Sequence, residues 1–150
     1  MTDYLSEEEP ALFLASKTNR FFAILIDYTI CFICWYYIAK YWGEEYITED
    51  GGVGYHVEGL PALSWLLVWF SIMPLMEGLT GQSIGKIIFK IKISKADGTK
   101  VSIGNATVRH LFDFVDYLPF FGIVGIIVAS KNGLSQRVGD LVAKTIVIRK

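Results

Sequence analysis

The residues in this chain that invite chemistry are charged side chains set among apolar ones, led by Arg20 and Asp27. Seven residues apart, the two fall near one face of an α-helix, about 10 Å along its axis. An ionised carboxylate inside hydrocarbon is unfavourable enough to require a partner or a task. Glu77, Arg109, Asp116, Arg137 and Asp140 complete the candidate ion or charge-pair site. Two chemistries are open to this set. In the first, Asp27 is a site for a monovalent cation or a proton, with Glu77 near Arg20 at the same depth and Asp116 and Asp140 converging from the cytoplasmic side. Carboxylates desolvated together have raised, mutually dependent pKa values, as proton exchange requires. Pro74 would loosen the helix beside Glu77 by removing a backbone donor. In the second, the same residues are struts, with Arg20 on Asp27 or Glu77, Arg109 on Asp116 and Arg137 on Asp140. Pairing makes buried charge tolerable and fixes helix register.

Elements of membrane length are needed to position these residues. Hydrophobic residues make up 53% of the 150 and charged residues 19%, against about 45–50% and about 25% in soluble domains. Phe21 to Ala39 is apolar or aromatic except at Asp27 and Thr29. As a helix it spans about 28 Å, close to a hydrocarbon core of about 30 Å. Pro61 to Met76 is a second, shorter block that would extend through Glu77 and Gly78 to cross. The pattern predicts a membrane α-helical fold: two transmembrane helices, a third re-entrant or interfacial segment, and a short cytoplasmic β element. Residues 1–19 read as an acidic cytoplasmic tail and residues 20–150 as the membrane domain. The tail lacks the basic start of a secretory signal, so the first helix is expected to be retained.

The loop between the two blocks carries Glu44, Glu45, Glu49, Asp50 and Glu58 and is expected outside. Lys86, Lys90, Lys92, Lys95, Lys100 and Arg109 follow the second block and place that region in the cytoplasm, as the basic-residue bias directs. A third apolar run, Leu111 to Ser130, is broken by Asp113, Asp116, Pro119, Gly122 and Gly125. It reads as an amphipathic helix from Asn105 to Tyr117, a break at Leu118 and Pro119, and a short apolar helix to Ser130. A full crossing is the alternative, but it would put Lys131, Arg137, Lys144, Arg149 and Lys150 outside. Alternation over Ile87 to Ser94 predicts a strand, followed by an Asp97-Gly98 turn and a second strand over Val101 to Ile103. Thr145 to Ile148 has the β-branched character to pair with the first strand, which requires the C-terminus on the cytoplasmic side as well.

Other chemistries are disfavoured. The net charge of −1 gives no field for nucleic acid. Cys31 and Cys34 lie mid-helix among apolar residues, where small hydrophobic packing suffices. Gly81 to Lys86 lacks the phosphate-loop spacing and follows a helix rather than a strand, so it reads as a turn, with Lys86 an anchor at anionic headgroups. His56 and His110 belong to no nucleophile or zinc pattern, and His110 reads as interfacial. Neither an enzyme nor a cofactor site is expected. Trp35, Tyr36, Tyr37, Tyr41 and Trp42, with Trp65 and Trp69, suit an aromatic belt at headgroup depth. The expected partners are the bilayer and its anionic headgroups at the cytoplasmic face, and a second copy or a partner membrane protein.

Arg20 and Asp27, Gly81-Gln82-Ser83-Ile84-Gly85-Lys86, Asp97-Gly98, Arg109 to Asp116 with Leu118-Pro119, and Gln136-Arg137-Val138-Gly139-Asp140-Leu141 closing into Thr145-Ile146-Val147 together form a pattern. From Thr18 onward the chain resembles the RDD family of bacterial integral membrane proteins. The resemblance places the naming arginine and two aspartates at Arg20, Asp27 and Asp140. Asp113 departs from it, where relatives are expected to carry a basic or neutral residue. The implied setting is a multi-pass protein of the cell inner membrane with its N-terminus in the cytoplasm. The implied activity is transport of an unidentified ligand or cation/proton exchange, by several copies together. The alternative is a non-catalytic scaffold or assembly subunit whose buried charges are structural.

Overall fold

A computed structural model of the chain describes residues 13–117 and 123–150. The acidic stretch of residues 3–9 and the expected break at Leu118 and Pro119 lie outside them. Helix α1 spans Lys17–Trp42 and starts where Ser16 Oγ accepts from Asn19 N at 3.2 Å, the usual way an orphan donor is satisfied at a helix start. Along its length it buries only Ala23, Ile24, Asp27, Cys31 and Ala39. Helix α2 runs Leu60–Thr80. It opens with a 3₁₀ turn at Leu60–Leu63 and passes through a π turn at Ser71–Leu75 around Pro74. Proline supplies no N–H to the ladder, so the spacing widens there. Gly81, at φ 78°, then ends the helix. Only 22% of the most apolar window of α1 and 17% of that of α2 is buried. A core helix of a soluble domain would be mostly covered. These two helices are long and apolar enough to cross a membrane.

The acidic loop between them is a β-hairpin, a correction to its reading as plain loop. Strand β1, Glu44–Ile47, pairs with β2, Val53–His56, in the register Glu44↔His56 to Ile47↔Val53. Gly51, at φ 82°, turns the chain, and Thr48 N and Oγ1 both donate to Gly52 O, at 2.8 and 3.0 Å.

After Gly81 comes a short helix α3, Ile84–Ile88, and only then β3, Ile91–Lys95. The strand expected over Ile87 to Ser94 thus begins four residues late, because its first residues close a helical turn held from α1. The expected pairing stands: β4, Thr145–Arg149, runs antiparallel to β3 with Ile93 opposite Val147. Leu14 bridges to Ile148, which ties the start of the chain to the same ribbon. The strand expected over Val101 to Ile103 is replaced by a helix start. Ser102 Oγ accepts from Asn105 N at 3.2 Å and opens α4, Ile103–Leu111. The helix expected from Asn105 to Tyr117 is two, α4 and α5, Asp113–Tyr117, and the short apolar helix is α6, Ile123–Lys131. Helix α7, Val138–Ala143, leads into β4.

The apolar core is small and basal. Ala15, Ala23, Ile91, Ile93, Ala106 and Val147 pack where the start of α1 meets the ribbon and α4. Two glycines allow the close approaches. A Cβ on Gly85 would collide with the Ala23 carbonyl, and one on Gly139 with the Arg109 carbonyl.

Candidate functional site

Just above that core, charged side chains from α1, α2, α3, α4, α5 and α7 meet in one buried cluster. Asp27 lies 1% exposed in α1. Ser83 Oγ donates to its Oδ2 at 2.5 Å and Gly85 N to its Oδ1 at 2.7 Å. The carboxylate therefore caps α3 from another helix, satisfying an amide that has no intrahelical partner. This corrects the expected Arg20–Asp27 strut. Periodicity places the two on one face, but Arg20 Nη1 and Nη2 donate instead to Ser135 O and Asp140 Oδ2.

Glu77 is fully buried near the C-terminal end of α2. Lys86 Nζ donates to its Oε1, and Arg109 Nη1 to its Oε2 at 2.7 Å. His110 Nε2 lies 2.9 Å from the same Oε2, a charge contact more than a well-directed hydrogen bond. The expected approach of Glu77 to Arg20 is thus replaced by three other cationic partners. Lys86, expected at lipid headgroups, is 4% exposed and also donates to Ser83 Oγ at 3.3 Å.

Asp140 gathers the arginines. Arg109 Nε donates to its Oδ1 at 2.5 Å, and Arg20 and Arg137 N, the latter at 3.1 Å, to its Oδ2. The expected Arg137–Asp140 pair persists as a 3.7 Å charge contact, while Arg137 Nη1 stands 3.3 Å from Asp113 Oδ1. The expected Arg109–Asp116 pair is corrected, because Asp116 has another role. Val138 N and Gly139 N donate to its two carboxylate oxygens, each at 3.1 Å, so it holds the start of α7. His110 is not interfacial but 3% exposed, with Nδ1 2.6 Å from Asp113 Oδ2 and its ring edge-on to Trp69.

The arrangement brings Arg20, Glu77, Arg109, Arg137 and Asp140 into one net and sets Asp27 and Asp116 on its flanks. Sequence reading missed Lys86, His110, Asp113 and Ser83 as members. His110 and Asp113, spaced i and i+3 on helical chain, carried a usable signal.

Electrostatics follow the contacts. Burial alone would raise Asp140, but the guanidiniums of Arg109, Arg137 and Arg20 outweigh it and hold the carboxyl well below its ordinary range. Burial alone would discharge His110, yet Glu77 and Asp113 on either side raise its affinity for the proton. Burial draws Lys86 below its usual value even with Glu77 against it. Among the described residues the buried acids Asp27, Glu77, Asp113, Asp116 and Asp140 outnumber Arg20, Lys86, Arg109 and Arg137 by one. In that formal count a proton on His110 balances the excess. The carboxylate oxygens of Asp27, Glu77, Asp116 and Asp140 already accept from protein donors, and Asp113 Oδ1 has a charge contact with Arg137 in place of a hydrogen bond. No group of three or more His, Cys, Asp or Glu poised for a metal occurs among the described residues. Cys31 and Cys34 are free thiols.

In comparison with known proteins, a family model described as the RDD family matches residues 14–144. No curated protein and no solved structure gives a match.

Proposed function

The chain belongs to the RDD family, and on that footing we propose that it is a multi-pass membrane module, without catalysis, whose buried charges lock its helices for assembly with a partner or with further copies. In this reading α1 and α2 cross the bilayer, β1 and β2 lie outside, and both termini lie with β3 and β4 in the cytoplasm. Helices α5 and α6 return to the face they leave. The acidic outer loop and the basic stretch after α2 support that orientation. The observation that carries the structural role is engagement of the buried carboxylates by the protein's own donors. Asp27 and Asp116 each have both oxygens taken by donors of a short helix, and Glu77 and Asp140 by cations. A cation entering here would compete with donors that hold each carboxylate to a neighbouring element.

The second reading is exchange of a monovalent cation for a proton by several copies around a shared axis. It is favoured by the single excess negative charge in the formal count, which a proton taken up by the cluster offsets.

Reconstitution into liposomes containing a pH-sensitive dye separates the two. The structural reading expects no cation-driven proton flux from folded protein. Flux that Asp27→Asn or His110→Asn abolishes without loss of folding would install exchange in its place.

A further inference from the structure

The two glycine-centred segments of the cluster are built alike. Gly81-Gln82-Ser83-Ile84-Gly85 and Ser135-Gln136-Arg137-Val138-Gly139 run in parallel, and each continues through a short helix and a lysine into a strand. Gly81 and Ser135 both adopt positive φ, 78° and 51°, as do Lys90 and Lys144, at 52° and 54°. Lysine enters that region only under constraint, so its recurrence at matched positions is informative. Gln82 Nε2 donates to Ile91 O and Gln136 Nε2 to Thr145 O, each at 2.8 Å and each to the first residue of its own strand. Gly85 and Gly139 both press on the backbone of the preceding Arg–Asp segment, Gly85 on the Ala23 carbonyl and Gly139 on that of Arg109, three residues short of the matched Phe112. Asp27 holds the first helix and Asp116 the second through backbone amides.

The strands close the comparison. Ile93 and Val147 occupy matching places and face each other, with Ile91↔Arg149 and Lys95↔Thr145 on either side. Exchanging the strands therefore returns the same register, as a two-fold axis between Ile93 and Val147 demands. The match extends upstream, where Arg20 and Asp27 precede Tyr28, and Arg109 and Asp116 precede Tyr117 at the same spacing. Arginines from both copies end on Asp140.

We infer that the domain is a duplicated unit, an Arg–Asp helical segment (one helix in the first copy, α4 and α5 in the second), a returning helix, a clamped short helix and a strand, with Arg109–Asp116 the counterpart of Arg20–Asp27 and a second hairpin cut short. Repeats related by an axis along the membrane normal recur in membrane proteins. The direction of the second hairpin agrees. Lys17 Nζ donates to Ser130 Oγ at 2.7 Å. One turn farther along α1, Arg20 and Phe21 line a groove with Gly125 and Ile126. Moving from the end of α6 toward its start thus parallels moving along α1 toward the outer loop. At nine residues, α6 spans about 13 Å, under half of a core of about 30 Å. The second hairpin dips in and returns on the face that carries the β3–β4 ribbon. Lys86 and Asp140 occupy the matched position with opposite charge, joined through Glu77 and Arg109.

The orientation part of this inference rests on the membrane reading above, and the test separates the two. In a Cys31→Ala, Cys34→Ala background, single cysteines are placed by Glu49→Cys, Lys100→Cys and Gly133→Cys, and labelled with an impermeant maleimide in intact and inverted vesicles. Position 133 has open space for a side chain. Glu49→Cys and Lys100→Cys labelling from opposite faces upholds the membrane reading, and from one face overturns it. With those opposite, Gly133→Cys labelling with Glu49→Cys overturns both the returning α5–α6 segment and the duplication, and labelling with Lys100→Cys is the result both require. A second readout is hydrogen exchange in nanodiscs. Asp27→Asn should speed exchange of the Ile84–Ile88 amides, and Asp116→Asn that of Val138–Ala143, by about tenfold each. Unchanged protection of Val138–Ala143 in Asp116→Asn would remove the proposed equivalence.

Discussion

The basal and outer halves of this molecule are held by different means. At the base, buried acids and bases from six helices interlock, glycines bring backbones into contact, and the β3–β4 ribbon ties both ends of the domain together. Farther out, the Ser64–Phe70 stretch of α2 buries no residue, and Phe32, Tyr37, Tyr41 and Leu67 are all well over half exposed. Aromatic contacts such as Phe32–Trp65 and Tyr36–Tyr55 join the helices and the hairpin there. In lipid, apolar side chains gain little by leaving hydrocarbon for one another. Packing between apolar helices is therefore specified best where directional bonds enforce it, and among the described residues the buried ion pairs between helices lie at the base.

Removing Glu77 should break that contrast most severely. Glu77→Leu leaves Lys86 buried without its salt-bridge partner and takes one of two carboxylates from Arg109 and from His110, and a broken buried pair costs about 3–5 kcal/mol. We expect thermal unfolding in detergent to shift drastically or the protein to fail to accumulate. Second in size is Gly85→Ala, whose methyl meets the Ala23 carbonyl with no flexible side chain to yield. A loss of about 1–3 kcal/mol is expected, read as a lower melting temperature.

Much of this division was legible in the sequence, and the rest was not for physical reasons. Apolar runs located α1 and α2, and β-branched composition found the β3–β4 pairing. The strut partners were misassigned because helical periodicity reports which residues share a face, not which element covers it. Arg20 and Asp27 share a face of α1, yet one reaches α7 and the other α3. Lys86 looked like a headgroup anchor because a lysine after a span ordinarily is one, and only the chain reversal at Gly81 returns it to Glu77. The β1–β2 hairpin had its signal in Asp50-Gly51-Gly52 between Glu44–Ile47 and Val53–His56, overshadowed by the acidic composition.

A pH dependence sharpens the comparison further. The folded-state pKa of His110 is raised above its unfolded value of about 6.5. Its contribution is therefore fully present below about pH 6.5 and is lost as pH rises through the folded value. The groups facing it are Glu77 from α2 and Asp113 from α5, with Trp69 beside the ring and Arg109, Arg137 and Lys86 bonded to those carboxylates. Unfolding of the native protein should ease in that range, and His110→Asn should flatten the profile. The smallest effect belongs to the outer half. Glu45→Gln, on an exposed hairpin strand, should change stability by less than about 0.5 kcal/mol. A loss comparable to that of Gly85→Ala would mean that the hairpin is as firmly specified as the base.

The central claim, that the buried Asp27 carboxylate is a strut between α1 and the segment after α2, is tested most directly by two double-mutant cycles in thermal unfolding. Asp27→Asn combined with Ser83→Ala should fall short of the sum of the single losses by about 1 kcal/mol or more, whereas Asp27→Asn with Arg20→Met should add to within about 0.5 kcal/mol. Additivity in the first cycle together with strong coupling in the second would contradict the account and return Asp27 to Arg20.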